Sequence, residues 1–482
     1  MDDYDLETRF NYIFLVLIVD HLRSSRGLSA RPWMRYRRRM RILFVVAVLA
    51  GAGGVARAGT LTVGPGRQYA TPCEAIAAAQ AGDVIEVDAG HYDGDTCAWS
   101  TDNLTVRGVG GRAVIDLTGV TPAQQKGIFT IYAENATIEN FELSHAAISQ
   151  EAGNNGAGIR HQGTNLTVRD CYLHDNQDGI LGAPAAAGTG TVIIERTELA
   201  DNGAGDGQSH NAYLNHYASV TLRESYSHGA VVGHLFKTRA AENFILYNRL
   251  TDEDGTTASY ELDVPNGGTT FVIGNLIEQS AASQNGGIVE YAAEGATNPD
   301  QHLYLVNNTV VNDRAAGVFL NLNGAPTALV ANNLFVGPGS LPAASASVTL
   351  DHDWTDADGD PMLVGRATFD YHLAAGSPAV DRGAPLAMAG AMSLVPDRQY
   401  VHPRSSEARA VAGTAIDVGA YELGGAVGPD AGTGPDGGAT ADDGGGGCGC
   451  RSSSRGGGGA LVLALVALGW LRRSSRARSR RA

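Results

Sequence analysis

Lysine is nearly missing from this chain. Only Lys126 and Lys237 occur in 482 residues, so arginine supplies almost all of the positive charge. Cysteine is scarce as well, at five residues, which excludes a scaffold held mainly by disulfides. Basic residues are also short where a folded body would lie. Residues 59–447 hold 17 basic and 46 acidic side chains, a net charge of −29. So acidic a body excludes nucleic acid as a partner, because phosphate neutralisation needs clustered Lys and Arg. It would attract cations, and it would repel a polyanion unless metal ions or a local basic patch intervened. Helical periodicity sustained over three or more turns is lacking too. Glycine, in contrast, is abundant at 63 residues.

The two ends read as address signals. In "RYRRRMRILFVVAVLAGAGGVARAGT" a basic stretch precedes an apolar core, and Ala56-Arg57-Ala58 offers a small-x-small cleavage site. Residues 1–58 are therefore read as an N-terminal extension plus secretory signal, with Met34 or Met40 as its start. Residues 424–447 form a Gly/Asp/Pro linker too polar to fold. Residues 448–482 carry Cys448-Gly449-Cys450, a short apolar helix and an arginine cluster. That order resembles the C-terminal sorting tail of myxobacterial surface proteins. The resemblance implies a transient membrane anchor, a sorting protease acting near Cys448 and Cys450, and display on the cell surface. Cys73 and Cys97 are candidates for a disulfide in an oxidising compartment. Cys171 reads as a buried small apolar residue.

Between these ends one pattern recurs: β-formers, a polar or glycine residue, then β-formers or a turn. Examples are "NLTVRGV", "LTVRDCYL", "VTLRESYS", "FVIGNLI" and "ALVANNLF". Gly108, Asn140, Asp170, Arg196, Glu224, Asn248, Asn275, Asn308 and Asn333 align at this position, and the step from one to the next stays short throughout. Such steps leave no room for a crossover helix in each unit, and they are too short for propeller blades. They predict a solenoid of short parallel strands. The asparagines are expected to stack in a ladder at one corner, in the left-handed backbone that a sharp turn needs.

At this point the chain resembles the pectate-lyase-like group of right-handed parallel β-helix proteins. "VGPGRQYATPCEAIAAAQAGDVIEVDAGHYDG" matches their entry, and "FDYHLAAGSPAVDRG" and "AIDVGAYE" their closing segments. The resemblance implies an all-β fold over residues 59–423. It would have roughly 10–12 coils, a short capping helix at about Cys73–Ala81, and "DVIEV" as first strand.

Around Lys237 the repeat becomes nearly regular, and equal steps stack Tyr213, Lys237 and Glu261. Alternation along each strand then sets Asn211, Tyr213 and Asn215 outward, followed by Lys237 and Arg239, then Glu261 and Asp263, with Glu290 one coil on. His210 and His234 are separated by that same step, with His228 at the turn between them. The candidate catalytic set is Lys237, Arg239, His234, His210 and Tyr213, with Asn211, Asn215 and Glu290 as substrate contacts. "KTRAAENFILYN" resembles the lysine-bearing strand of chondroitinase-B and alginate-lyase-like enzymes. That resemblance implies Lys237 as base, an assisting arginine on the next coil and Ca²⁺ nearby; the next coil, "SYELDVPNGG", has no arginine, so Arg239 on the same strand would have to substitute. Glu261 and Asp263 are candidate Ca²⁺ ligands, as are Asp351, Asp353, Asp356, Asp358 and Asp360 in "DHDWTDADGDP". The expected partner is an acidic polysaccharide and the expected state a monomer. Three chemistries stay open: Ca²⁺-assisted β-elimination, hydrolysis by paired carboxylates, and binding without turnover.

Overall fold

The computed structural model describes residues 58–253 and 255–424, which wind into a parallel β-helix. The expected signal, linker, Cys448, Cys450 and sorting tail lie outside these residues. Among the described residues no helix is long and apolar enough to cross a membrane.

Each full coil gives one strand to each of three faces. Ala212–Leu214, Phe236–Thr238 and Leu262–Val264 belong to the first face. Tyr217–Arg223, Glu242–Leu246 and Thr269–Ile273 belong to the second, and Tyr226–His228, Arg249–Thr251 and Leu276–Gln279 to the third. Among the described residues the first face has nine strands. The second has twelve, in line with the coil number expected. Period-2 alternation decides which side chains enter the core. On the second face Val106, Ile138, Val168, Ile194, Leu222, Ile245, Val272, Leu305 and Val330 stack in one fully buried column. Burying each such side chain contributes roughly 1.5–3 kcal/mol.

The corner between the second and third faces corrects the expected phase. Its left-handed residues are Asn140, Asp170, Arg196, Glu224, Tyr247, Gly274, Asn307 and Asn332. The ladder occupies the next position along: Cys171, Thr197, Ser225, Asn248, Asn275, Asn308, Asn333 and Asp353. In its asparagine stretch each backbone N–H donates to the carboxamide oxygen one coil further on, at 2.9 Å for Asn248 to Asn275, Asn275 to Asn308 and Asn308 to Asn333. The polar residues aligned in the sequence thus mark the turn in the early coils and the ladder in the later ones. Asp353 ends the stack by accepting the Asn333 N–H at 2.8 Å and its amide at 2.9 Å.

At the entry the helix Pro72–Ala78 is capped by Thr71 and covers the first coil. It stops short of Ala81 because Asp83, rather than a helical carbonyl, takes the Gln80 N–H. A disulfide joins Cys73 in this helix to Cys97 at the start of the first face. The first strand is Thr60–Val63, which pairs with Val84–Val87, so "DVIEV" comes second. Cys171 is fully buried, as expected, and burial pushes its thiol up to about 12. The segment from Leu363 to Glu422 folds back along the second and third faces. Tyr371, Tyr400 and Tyr421 pack there against Leu276, Val311 and Leu334, and Leu394 packs against Tyr247 and Phe271. Arg404 reaches the Cys171 carbonyl at 3.1 Å.

Candidate active site on the first face

Register assigns the site residues. Tyr213 pairs with Lys237, as the regular step predicts. Lys237 then pairs with Asp263, not Glu261, because the next coil is longer by two positions. The chain from the third face to the first lengthens between Thr251 and Asp263, relative to His228 and Lys237 one coil earlier. Loop length in a solenoid is free to vary while strand pairing is not. The outward column therefore reads Thr130, Arg160, Leu181, Tyr213, Lys237, Asp263, Glu290, Asn321. Beside it, at the strand entrances, runs a second column: Gly127, Ala157, Asp178, His210, His234, Tyr260, Gly287.

Lys237 sits in a cage of carboxylates. Its ammonium lies 2.9 Å from Asp263 Oδ2 and 3.0 Å from Glu294 Oε1, with the Tyr213 ring 5.6 Å away. Arg239 donates to Glu294 at 2.6 Å, to Tyr213 Oη at 2.7 Å and to Asn266 Oδ1 at 2.5 Å. Burial raises Glu294, but the bonds from Arg239 and Lys237 outweigh it and bring the carboxyl below its usual range. Burial raises Asp263, with Lys237 opposing. Glu290 accepts two hydrogen bonds from the Asn321 amide, at 2.9 and 3.2 Å. Burial still pushes it up to about 7, against the Asn321 bond and with the Asp263 charge adding to the rise. Its carboxyl fills the space over Gly287, where any Cβ would collide with Oε1.

His210 and His234 stack in register, ring centroids 4.5 Å apart. Their Nδ1 atoms accept backbone N–H groups, from His234 at 3.0 Å and from Tyr260 at 3.2 Å. An acceptor Nδ1 requires the neutral ring with its proton on Nε2. Burial, helped by the Lys237 charge, lowers His210 to about 3. Burial, with His210 and Lys237 adding to it, carries His234 well below the usual range. Both rings face the site, yet neither is free to shuttle protons near neutrality. His228 lies on the third face beside Glu198, not with this pair.

Several expected ligands are elsewhere. Glu261 is fully buried opposite Leu235, on the core side of the strand rather than on the outward face, and burial raises its carboxyl well above the ordinary range. Asn211 is fully buried too; its amide belongs to an interior asparagine stack, accepting from Asn202 at 3.0 Å and donating to Ser227 at 3.0 Å. Asn215 is half-buried and accepts the His216 N–H. The aspartates of the 351–360 loop hold their own loop in shape. Asp351 pairs with His352, Asp356 accepts from Gly337 N–H, Asp358 from Thr355 and Asp360 from Met362. Among the described residues no group of three acidic, histidine or cysteine side chains is arranged to hold a metal. The site's own carboxylates do not fit Ca²⁺ either. Asp263 faces an ammonium, both Glu294 oxygens bond cations, and both Glu290 oxygens bond one amide. A cavity of about 720 Å³ lies apart, at the N-terminal end over Arg67, His91 and Tyr92, and its arginine is bonded to Asp88. Sequence reasoning missed Glu294, Asn266, Tyr260 and Asn321. Glu294 stands shortly after Glu290 in "IVEYAAEG", where Gly295 turns the chain back with φ of 108°.

No protein-family model matches the chain, and no curated protein matches it. Solved structures do. Pectate lyase Pel9A aligns at 13% identity and a TM-score of 0.50, covering 77% of this chain and 97% of that one. Pectin methylesterase PemA from Erwinia chrysanthemi aligns at 11% identity and a TM-score of 0.34, covering 65% and 98%. The likeness to Pel9A, taken with three faces of parallel strands, shows that this chain has the pectate-lyase-like parallel β-helix fold.

Proposed function

We propose that this protein is an exported polysaccharide-cleaving β-helix, acting on acidic glycans at the face of Lys237. The observation that carries the reading is the pairing of Asp263 and Glu290 on adjacent rungs. One carboxylate is held beside an ammonium, and the other is raised to about 7. Burial raises both carboxyls, but an ammonium opposes the rise at Asp263 and none does at Glu290; such a contrast in surroundings suits one carboxyl to act as acid and the other as base. Glu290 donates its proton to the leaving glycosidic oxygen as that bond to the anomeric carbon breaks; a water attacks the same carbon and gives its proton to Asp263. Lys237, Arg239 and Glu294 position Asp263 and hold Tyr213 at the face. Lys237 as the base of a β-elimination is the weaker alternative, since its nitrogen is already engaged by Asp263 at 2.9 Å and Glu294 at 3.0 Å. Export is supported by the Cys73–Cys97 disulfide, which belongs to an oxidising compartment.

The test is digestion of polygalacturonate, alginate and glycosaminoglycans, with Ca²⁺ and with chelator. Hydrolysis releases reducing ends without ultraviolet absorbance and persists in chelator. Unsaturated, Ca²⁺-dependent products, or full turnover by Glu290→Gln, would overturn the acid–base assignment. Binding without any product would leave a lectin-like role.

A further inference from the structure

Glu278 lies on a seam away from the first face. It belongs to the third-face strand Leu276–Gln279, one rung from Thr251 on one side and from Val311 on the other. Leu276 and Val311 pack with Tyr371 of the C-terminal segment, and Glu278, pointing outward beside them, is fully buried. One of its oxygens accepts the Glu253 N–H at 2.8 Å; the other, Oε1, is buried without a partner. The Tyr371 hydroxyl is buried without one too. Among the described residues no ion pair reaches Glu278. The cations of the adjoining segments bind elsewhere. Arg249, one rung back, pairs with Glu253 at 3.2 Å, Arg366 pairs with Asp313 at 2.6 Å, and Arg314 donates to the Ser283 carbonyl. His372, next to Tyr371, is bonded to Asp370 at 2.7 Å. The charges that act on Glu278 are acidic: Asp252 and Glu253 one rung back and Asp313 one rung on, while Glu261 on the core side feels Glu278 in turn. A carboxylate held so, with one donor and no cation, costs far more than the neutral acid. Burial raises Glu278 to about 8, with the Glu253 N–H opposing and the three neighbouring carboxylates adding to the rise.

We infer that Glu278 is a proton-operated latch for the C-terminal segment. With its proton it stays covered by that segment; without it, the hairpin around Tyr371 lifts from the third face and water reaches the carboxylate. The moving part is built to separate. Its strands, Leu363–Gly365 and Asp370–Leu373, pair only with each other, so lifting them breaks no rung of the column. Such sub-global openings are cheaper than unfolding the coils themselves. A folded value above the ordinary 4.5 gives a contribution that is complete below pH 4.5 and is lost as pH rises through about 8. Opening of the hairpin should therefore grow about tenfold per pH unit between these limits and level off above them. The inference does not rest on the proposed chemistry of the first face.

Hydrogen exchange of the full-length protein, followed by mass spectrometry from about pH 5 to about pH 9 and corrected for the intrinsic base-catalysed rate, measures this opening. Peptides from residues 363–373 should show the tenfold rise per pH unit in wild type, and peptides from the second-face strands should not. Glu278→Gln keeps the shape of the side chain and cannot ionise, so it should hold the opening near its value in wild type at low pH. Glu278→Met carries the same test should the amide fail to fold. A flat wild-type profile would overturn the latch, as would an undiminished slope in either variant or the same rise in every peptide. No substrate enters the measurement, so its outcome is separate from that of the acid–base assignment.

Discussion

Glu290 carries the most direct prediction at the scale of single residues. Its acid form is lost as pH rises through about 7. Turnover that needs that proton should fall roughly tenfold per pH unit above this point. Glu290→Gln should lower kcat by about 10²–10⁴-fold, read as reducing ends released. Gly287→Ala would force the Glu290 carboxyl off its seat, so it should also cut kcat while leaving the melting temperature nearly unchanged. The stacked histidines predict an acid limit to stability. His210 ionises at about 3 in the fold, against an ordinary value of 6.5. A depressed folded value means the contribution is complete above pH 6.5 and is lost as pH falls toward 3. The slope is about 1.4 kcal/mol per pH unit for this ring. Urea unfolding at several pH values measures it, and His210→Asn, which keeps an acceptor for His234 N–H, should flatten it.

Among elements, the asparagine ladder is the one on which the coils depend most visibly. Asn275→Ala would leave the Asn248 N–H and amide without their acceptor. It would also leave the Ile245 carbonyl without its 2.8 Å donor. Each buried group left unsatisfied costs about 1–3 kcal/mol, so denaturant unfolding should show a loss of at least that size. The ladder was legible in the sequence because one residue type recurs at it. Its phase was not: the early coils place Thr197 and Ser225 there, and their conspicuous polar residues, Asp170, Arg196 and Glu224, sit one position earlier. The site was half legible for a similar reason. Tyr213 over Lys237 follows from a constant step, but the longer connection before Asp263 shifts the next rung, so Glu261 is buried where Asp263 faces out. Nothing local in "SYELDV" distinguishes those two carboxylates.

At the largest scale, the coils of the described residues form a column whose last segment, from Leu363, lies along the second and third faces. "FDYHLAAGSPAVDRG" and "AIDVGAYE" were recognisable as closing segments, but their path along the second and third faces was not, since no periodicity encodes contacts so distant in sequence. Deleting residues 363–424 should uncover the apolar surfaces around Leu276, Val311, Leu334, Tyr247 and Phe271. The shortened protein is expected to aggregate, which sedimentation of the soluble fraction would show. The same path sets a timetable. Arg404 bonds the carbonyl of Cys171, 233 residues earlier. At ordinary synthesis rates its partner waits roughly ten to fifty seconds for it. Through that interval the growing column stands with two flanks bare, and a companion that shields them, or a passage that delays folding until the tail has emerged, becomes part of how this chain reaches its final form.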